Sequence, residues 1–78
     1  MKIFNEKNVD NNVEVLLNYQ ELEKMVNVLK KFQEGVNVFK TKNKGNSKLG
    51  FTHLHFKDYE LIDKNSSIDL VIYLNLDE

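Results

Sequence analysis

Phe51-Thr-His-Leu-His-Phe56 and Ile68-Asp-Leu-Val-Ile-Tyr-Leu-Asn-Leu76 decide the fold. In the second stretch Ile68, Leu70, Ile72, Leu74 and Leu76 fall on alternate positions, which is the two-residue period of a half-buried strand. Thr52, Leu54 and Phe56 alternate in the same way with Phe51, His53 and His55. Both stretches are predicted as strands with one apolar face and one open face. His53 and His55 share the open face, ~7 Å apart along the strand. Lys57 to Ser67 is expected to be irregular, with a short extended piece at Tyr59–Ile62.

Working outward, Asn18-Tyr-Gln-Glu21 predicts a helix start. Asn18 is a good N-cap, and Glu21 stands three residues on, in capping-box position. Leu22, Met25, Val26, Leu29 and Phe32 form one apolar stripe at helical spacing. Glu21 and Glu23 come early and Lys30 and Lys31 late, which suits the helix dipole. Gly35 is expected to end the helix as its C′ residue. Val36 to Lys42 then reads as a strand, and Asn43 to Lys48 as a loop. Together with Phe51–Phe56 this predicts a hairpin with a lysine-rich tip. Val13, Val15 and Leu17 predict a strand before the helix, Lys2–Phe4 a further short one, and Asn5–Asn12 a turn.

Strands on both sides of one capped helix define an α+β chain, residues 1–78 forming a single domain. The expected architecture is one helix on one face of a mainly antiparallel sheet of three to five strands. The expected core is Val13, Val15, Leu17, Leu22, Met25, Val26, Leu29, Phe32, Leu54, Phe56, Leu70, Ile72 and Leu74. One helix covers one face, so Leu16, Phe51, His53, His55, Val71 and Tyr73 are expected on the uncovered side, where an apolar patch marks an interface.

Composition narrows the chemistry. The chain has 78 residues, no cysteine and a net charge of −1, and all its basic residues other than histidine are lysines. Without thiols there is no disulfide and no thiolate site. Without arginine there is no bidentate fork for guanine or phosphate. Met1-Lys-Ile-Phe-Asn-Glu6 has no apolar signal-peptide core, and no apolar run reaches the ~18 residues of a membrane span, so a cytoplasmic protein without membrane contact is expected. Two histidines do not complete a zinc shell, and no metal or other cofactor is expected. Gly35, Gly45 and Gly50 form no phosphate loop, and Ser47, Ser66 and Ser67 have no nucleophile-elbow context, so no enzyme is expected.

Charge is divided along the chain. From Gly35 to Lys57 every charged side chain is a lysine (Lys40, Lys42, Lys44, Lys48 and Lys57). Beyond it come Asp58, Glu60, Asp63, Asp69, Asp77 and Glu78, against Lys64 alone. Lys40–Lys48, flanked by Phe39 and Phe51, could contact nucleic acid. The overall acidic balance and the lack of a reader motif argue against it.

The order of parts resembles the immunity protein 32 family: a helix after a strand, the strand His53-Leu-His-Phe-Lys-Asp-Tyr59, then the closing strand Ser67-Ile-Asp-Leu-Val-Ile-Tyr-Leu74. The resemblance runs from the helix to the end of the chain and leaves out Lys40–Lys48. It implies a small bacterial antitoxin-like protein of polymorphic toxin and contact-dependent inhibition systems. Such a protein would bind and neutralise a cognate toxin C-terminal domain. If that toxin were a nuclease, Asp58, Glu60, Asp63 and Asp69 would mimic phosphate, and Tyr59 and Tyr73 would anchor the contact beside His53 and His55. The alternative is a homo-oligomeric structural or regulatory module, such as a homodimer, that buries its open sheet face on a second copy.

Overall fold

The computed structural model describes residues 1–4 and 13–77. Its elements are β1 (Lys2–Phe4), β2 (Glu14–Leu16), α1 (Tyr19–Lys42), β3 (Phe51–His55), a 3-10 turn (Phe56–Tyr59) and β4 (Val71–Asn75). The chain is α+β, with one helix and two separate two-stranded antiparallel sheets, β1–β2 and β3–β4. The expected single sheet of three to five strands is thus split in two. The predicted turn at Asn5–Asn12 lies outside the described residues.

The helix starts as its sequence dictates. The Asn18 side chain accepts from the Glu21 N–H at 2.8 Å, and the Glu21 carboxylate accepts from the Asn18 N–H at 3.0 Å. Two donors that a helix start leaves unpaired or poorly paired are thereby satisfied. The helix does not stop at Gly35. It runs on to Lys42, so the predicted strand Val36–Lys42 and its hairpin do not exist. Gly35 is an interior helical residue, and its position opens onto empty space. Interior glycine costs about 1 kcal/mol. Val36 and Phe39 offset it by continuing the stripe of Phe32 at spacings of four and three and lining a cleft against β3.

β3 and β4 pair in one register: Phe51 with Asn75, His53 with Tyr73, His55 with Val71. Leu54 packs toward α1, whereas His53, His55 and Tyr73 gather on the opposite face. Leu54, Phe56, Leu61 and Ile62 form the buried core, with Met25, Val28, Leu29 and Phe32 of α1, Leu70 just before β4, and Met1 and Ile3 at the start of the chain packed against it. Leu61 and Ile62 occupy the predicted extended piece, but they are not extended. The 3-10 turn and Glu60, in the left-handed conformation at φ 58°, fold both neighbours inward. Adjacent inward residues have no periodicity, so neither was in the expected core.

Several expected core residues are exposed. Val15, in β2, and Val13, just before it, are exposed, although Ile3, the partner of Val15 on β1, packs against the core. Leu22, Val26, Ile72 and Leu74 are also exposed, because the buried face of α1 is rotated toward Val28. Leu17 is half-buried, whereas Leu76 is buried.

Candidate partner-binding surface

The outer face of β3–β4 brings His53, His55 and Tyr73 together, as the register requires. The His53 and His55 rings meet edge to face with centroids 5.0 Å apart, and His53 lies 5.5 Å from Tyr73. Tyr73 is 68% exposed. Among the described residues no three histidines or carboxylates are arranged to hold a metal ion.

Asp69 has a different place from the one expected of it. His55 Nδ1 donates to one of its oxygens at 2.9 Å, and the Lys57 N–H donates to the other at 3.0 Å. Partial desolvation pushes its carboxyl upward, but the His55 and Lys57 hydrogen bonds outweigh this and hold it below the usual carboxylate value. Asp69 therefore braces the start of the 3-10 turn against the approach to β4. It is not an open acid waiting for a partner. Lys57 adds a second tie, its Nζ donating to the Ser66 carbonyl.

The braced turn presents Asp58, Tyr59 and Glu60 at the surface. Asp58 and Glu60 are exposed and make no ion pair among the described residues. Asp63 is exposed and accepts the Asn65 N–H at 2.9 Å in a local turn. Tyr59 is 46% exposed and forms one wall of a cleft of about 690 Å³. Phe32, Val36 and Phe39 of α1, together with Phe51 and Leu76, line it as well, and Lys31 is the only charged residue on it among the described residues. The cleft was missed in the sequence because Gly35 was read as a helix end. The spacing of Phe32, Val36 and Phe39 was the signal for it.

The lysines sort differently from the hairpin-tip expectation. Lys40 and Lys42 are in the last turn of α1, and Lys44 and Lys48 are in the loop that follows. Phe39 and Phe51 face the cleft between them rather than flank a tip. Asp77 accepts the Leu49 and Gly50 N–H groups at 2.8 and 2.9 Å, which closes this loop onto the end of β4. These two bonds, with help from Lys48 and Lys40, hold its carboxyl low against a smaller upward push from desolvation.

No family model matches the chain, no curated protein is detectably similar to it, and no solved structure matches its fold. No helix among the described residues is long and apolar enough to cross a membrane.

Proposed function

We propose that the chain is a stoichiometric protein-binding module. In its more specific form it is an immunity protein, which binds a toxin domain in the cytoplasm and covers its active site. The observation that carries this reading is the ridge Asp58-Tyr59-Glu60, exposed on a braced turn beside an open apolar cleft. Phe56 anchors the turn in the core, and Asp69 holds it through the Lys57 N–H. Little ordering cost remains to be met on binding, which favours affinity. Tyr59 offers a large side chain with few rotamers and a polar end, the usual make-up of an interface anchor. Asp58, Glu60 and Asp63 add a local negative field that speeds encounter with a basic nuclease site. His53 and Tyr73 form a separate aromatic surface on the outer face of β3–β4, on which His55 is fixed by Asp69.

The test uses the purified chain and the toxin domain encoded beside it. An equimolar complex and loss of the toxin's activity are expected. Tyr59→Ala should weaken binding by at least about thirtyfold, the size of a ~2 kcal/mol hot spot. Asp58→Lys with Glu60→Lys should slow association and flatten its salt dependence. Absence of a complex would remove the immunity reading. Full-strength binding by Tyr59→Ala would remove the ridge from the interface.

A further inference from the structure

β4 carries an unfinished edge. Leu76 N–H donates to Gly50 O at 2.9 Å and Phe56 N–H to Leu70 O at 3.0 Å, so the even-numbered residues make the bonds between the two strands. By the alternation of an antiparallel ladder, Val71, Tyr73 and Asn75 turn their N–H and C=O groups away from β3. No other strand pairs with β4 among the described residues. An open edge invites pairing, and natural proteins block it with lysine, proline or a bulge. Val71-Ile-Tyr-Leu-Asn75 contains no charge and no proline.

The side chains mark the same gap. On β3 the helix-facing Leu54 is 2% exposed, whereas on β4 the helix-facing Ile72 and Leu74 are 36% and 37% exposed. Below Leu74 an apolar groove of about 440 Å³ runs along α1, with Val26, Leu29, Phe32 and Val36 on its wall. The missing layer therefore lies beside β4 and on the flank away from β3.

We infer that a second copy of this chain fills it, β4 pairing antiparallel with its own copy across a two-fold axis at Tyr73. Full overlap of the five-residue strand sets that axis: Tyr73 then faces Tyr73, Val71 faces Asn75, and Ile72 faces Leu74. Within Val71–Asn75 no like charges face each other in this register. Such an interface is isologous, the arrangement most homodimers use. It makes one four-stranded sheet, β3-β4-β4-β3, with both helices on one face and Leu74 covered by Ile72 of the other copy.

The exposed area leaves room for such an interface. The chain exposes 6514 Å². A folded monomer of 9.2 kDa is expected to expose about 4,900 Å². The excess of roughly 1,600 Å² is about twice the ~800 Å² that one partner buries in a standard interface. The groove below Leu74 is lined by none of Asp58, Tyr59 and Glu60, so this pairing does not rest on a toxin binding at the ridge.

Light scattering after size exclusion should give twice the chain mass of 9.2 kDa at micromolar concentration. Tyr73→Pro removes an outward N–H that β3 does not use, and Leu74→Lys places a charge in the groove. Each should yield the single-chain mass with the helical circular dichroism retained, while Phe51→Ser, off this edge, should leave the dimer intact. The chain has no cysteine of its own, so single cysteines report the register even if those variants misfold. Tyr73→Cys should join two chains through a short thiol-to-thiol cross-linker. His53→Cys should not, because three strand spacings, ~14 Å, separate the two copies of that position. A wild-type chain that stays at single-chain mass overturns the inference. So does a dimer that survives both β4 variants, or one that cross-links as well from position 53 as from 73.

Discussion

Asp69 ties three segments with one carboxylate: His55 at the end of β3, Lys57 in the turn, and the approach to β4. Its side chain is one-fifth exposed, so water screens the contact only in part. Its folded pKa lies below its ordinary value of 3.8. Folding therefore favours the ionised form. The resulting stability is complete above the unfolded pKa and is lost as pH falls through the folded one. Asp69→Asn should lower the urea midpoint at pH 7. It should also flatten the decline in stability from about pH 4 downward, leaving the part due to Asp77, whose carboxyl is held low as well. An acid decline as steep as in the wild type would show that Asp69 carries none of it. Asp69 was legible in the sequence only as one of the acids beyond Lys57. Its pairing was not, because residues 55 and 69 meet only through the β3–β4 register.

The helix shows which element boundaries a sequence can state. Its start is a local event, complete within four residues, and the Asn18–Glu21 capping box forms as written. Its end is not local. Glycine is a strong stop signal when the chain beyond has nothing to gain from staying helical. Here Val36 and Phe39 gain the cleft wall, and α1 continues for seven residues to Lys42, where Lys40 and Lys42 suit the negative end of the dipole. Gly35→Ala should then raise stability by about 0.5–1 kcal/mol, because an added Cβ meets open space and the helix interior prefers alanine. The denaturant midpoint measures this. A loss of stability on Gly35→Ala would return residue 35 to a helix terminus.

At the scale of the molecule, little core supports a long helix. At about 1.5 Å per residue, the 24 residues of α1 run ~36 Å, roughly twice the length of the five-residue strands beneath it. Only Leu54, Phe56, Leu61, Ile62 and Leu76 are buried apolar residues among those described. A small core of this kind gains stability from association, and association makes stability depend on concentration. A hundredfold rise in chain concentration corresponds to about 2.7 kcal/mol per dimer. For two chains unfolding together that should raise the thermal midpoint by about 5–10 °C. A midpoint independent of concentration would mean that each chain folds alone.

Where a few neighbouring residues suffice, the sequence by itself determined the outcome. The capping box, the loop at Asn43–Lys48 and the shared face of His53 and His55 follow from spacing, and the α+β class follows from the order of such segments. Tertiary structure decided whatever depends on which surface meets which. It carried α1 past Gly35, because the cleft against β3 rewards Val36 and Phe39. It split the strands into two pairs and left Val13 and Val15 outside. It drew Leu61 and Ile62 inward through a left-handed Glu60, and it left the outer edge of β4 open. Backbone preference and side-chain period act over one or two turns. Burial depends on contacts between residues far apart in the chain, and these exist only once the fold has formed.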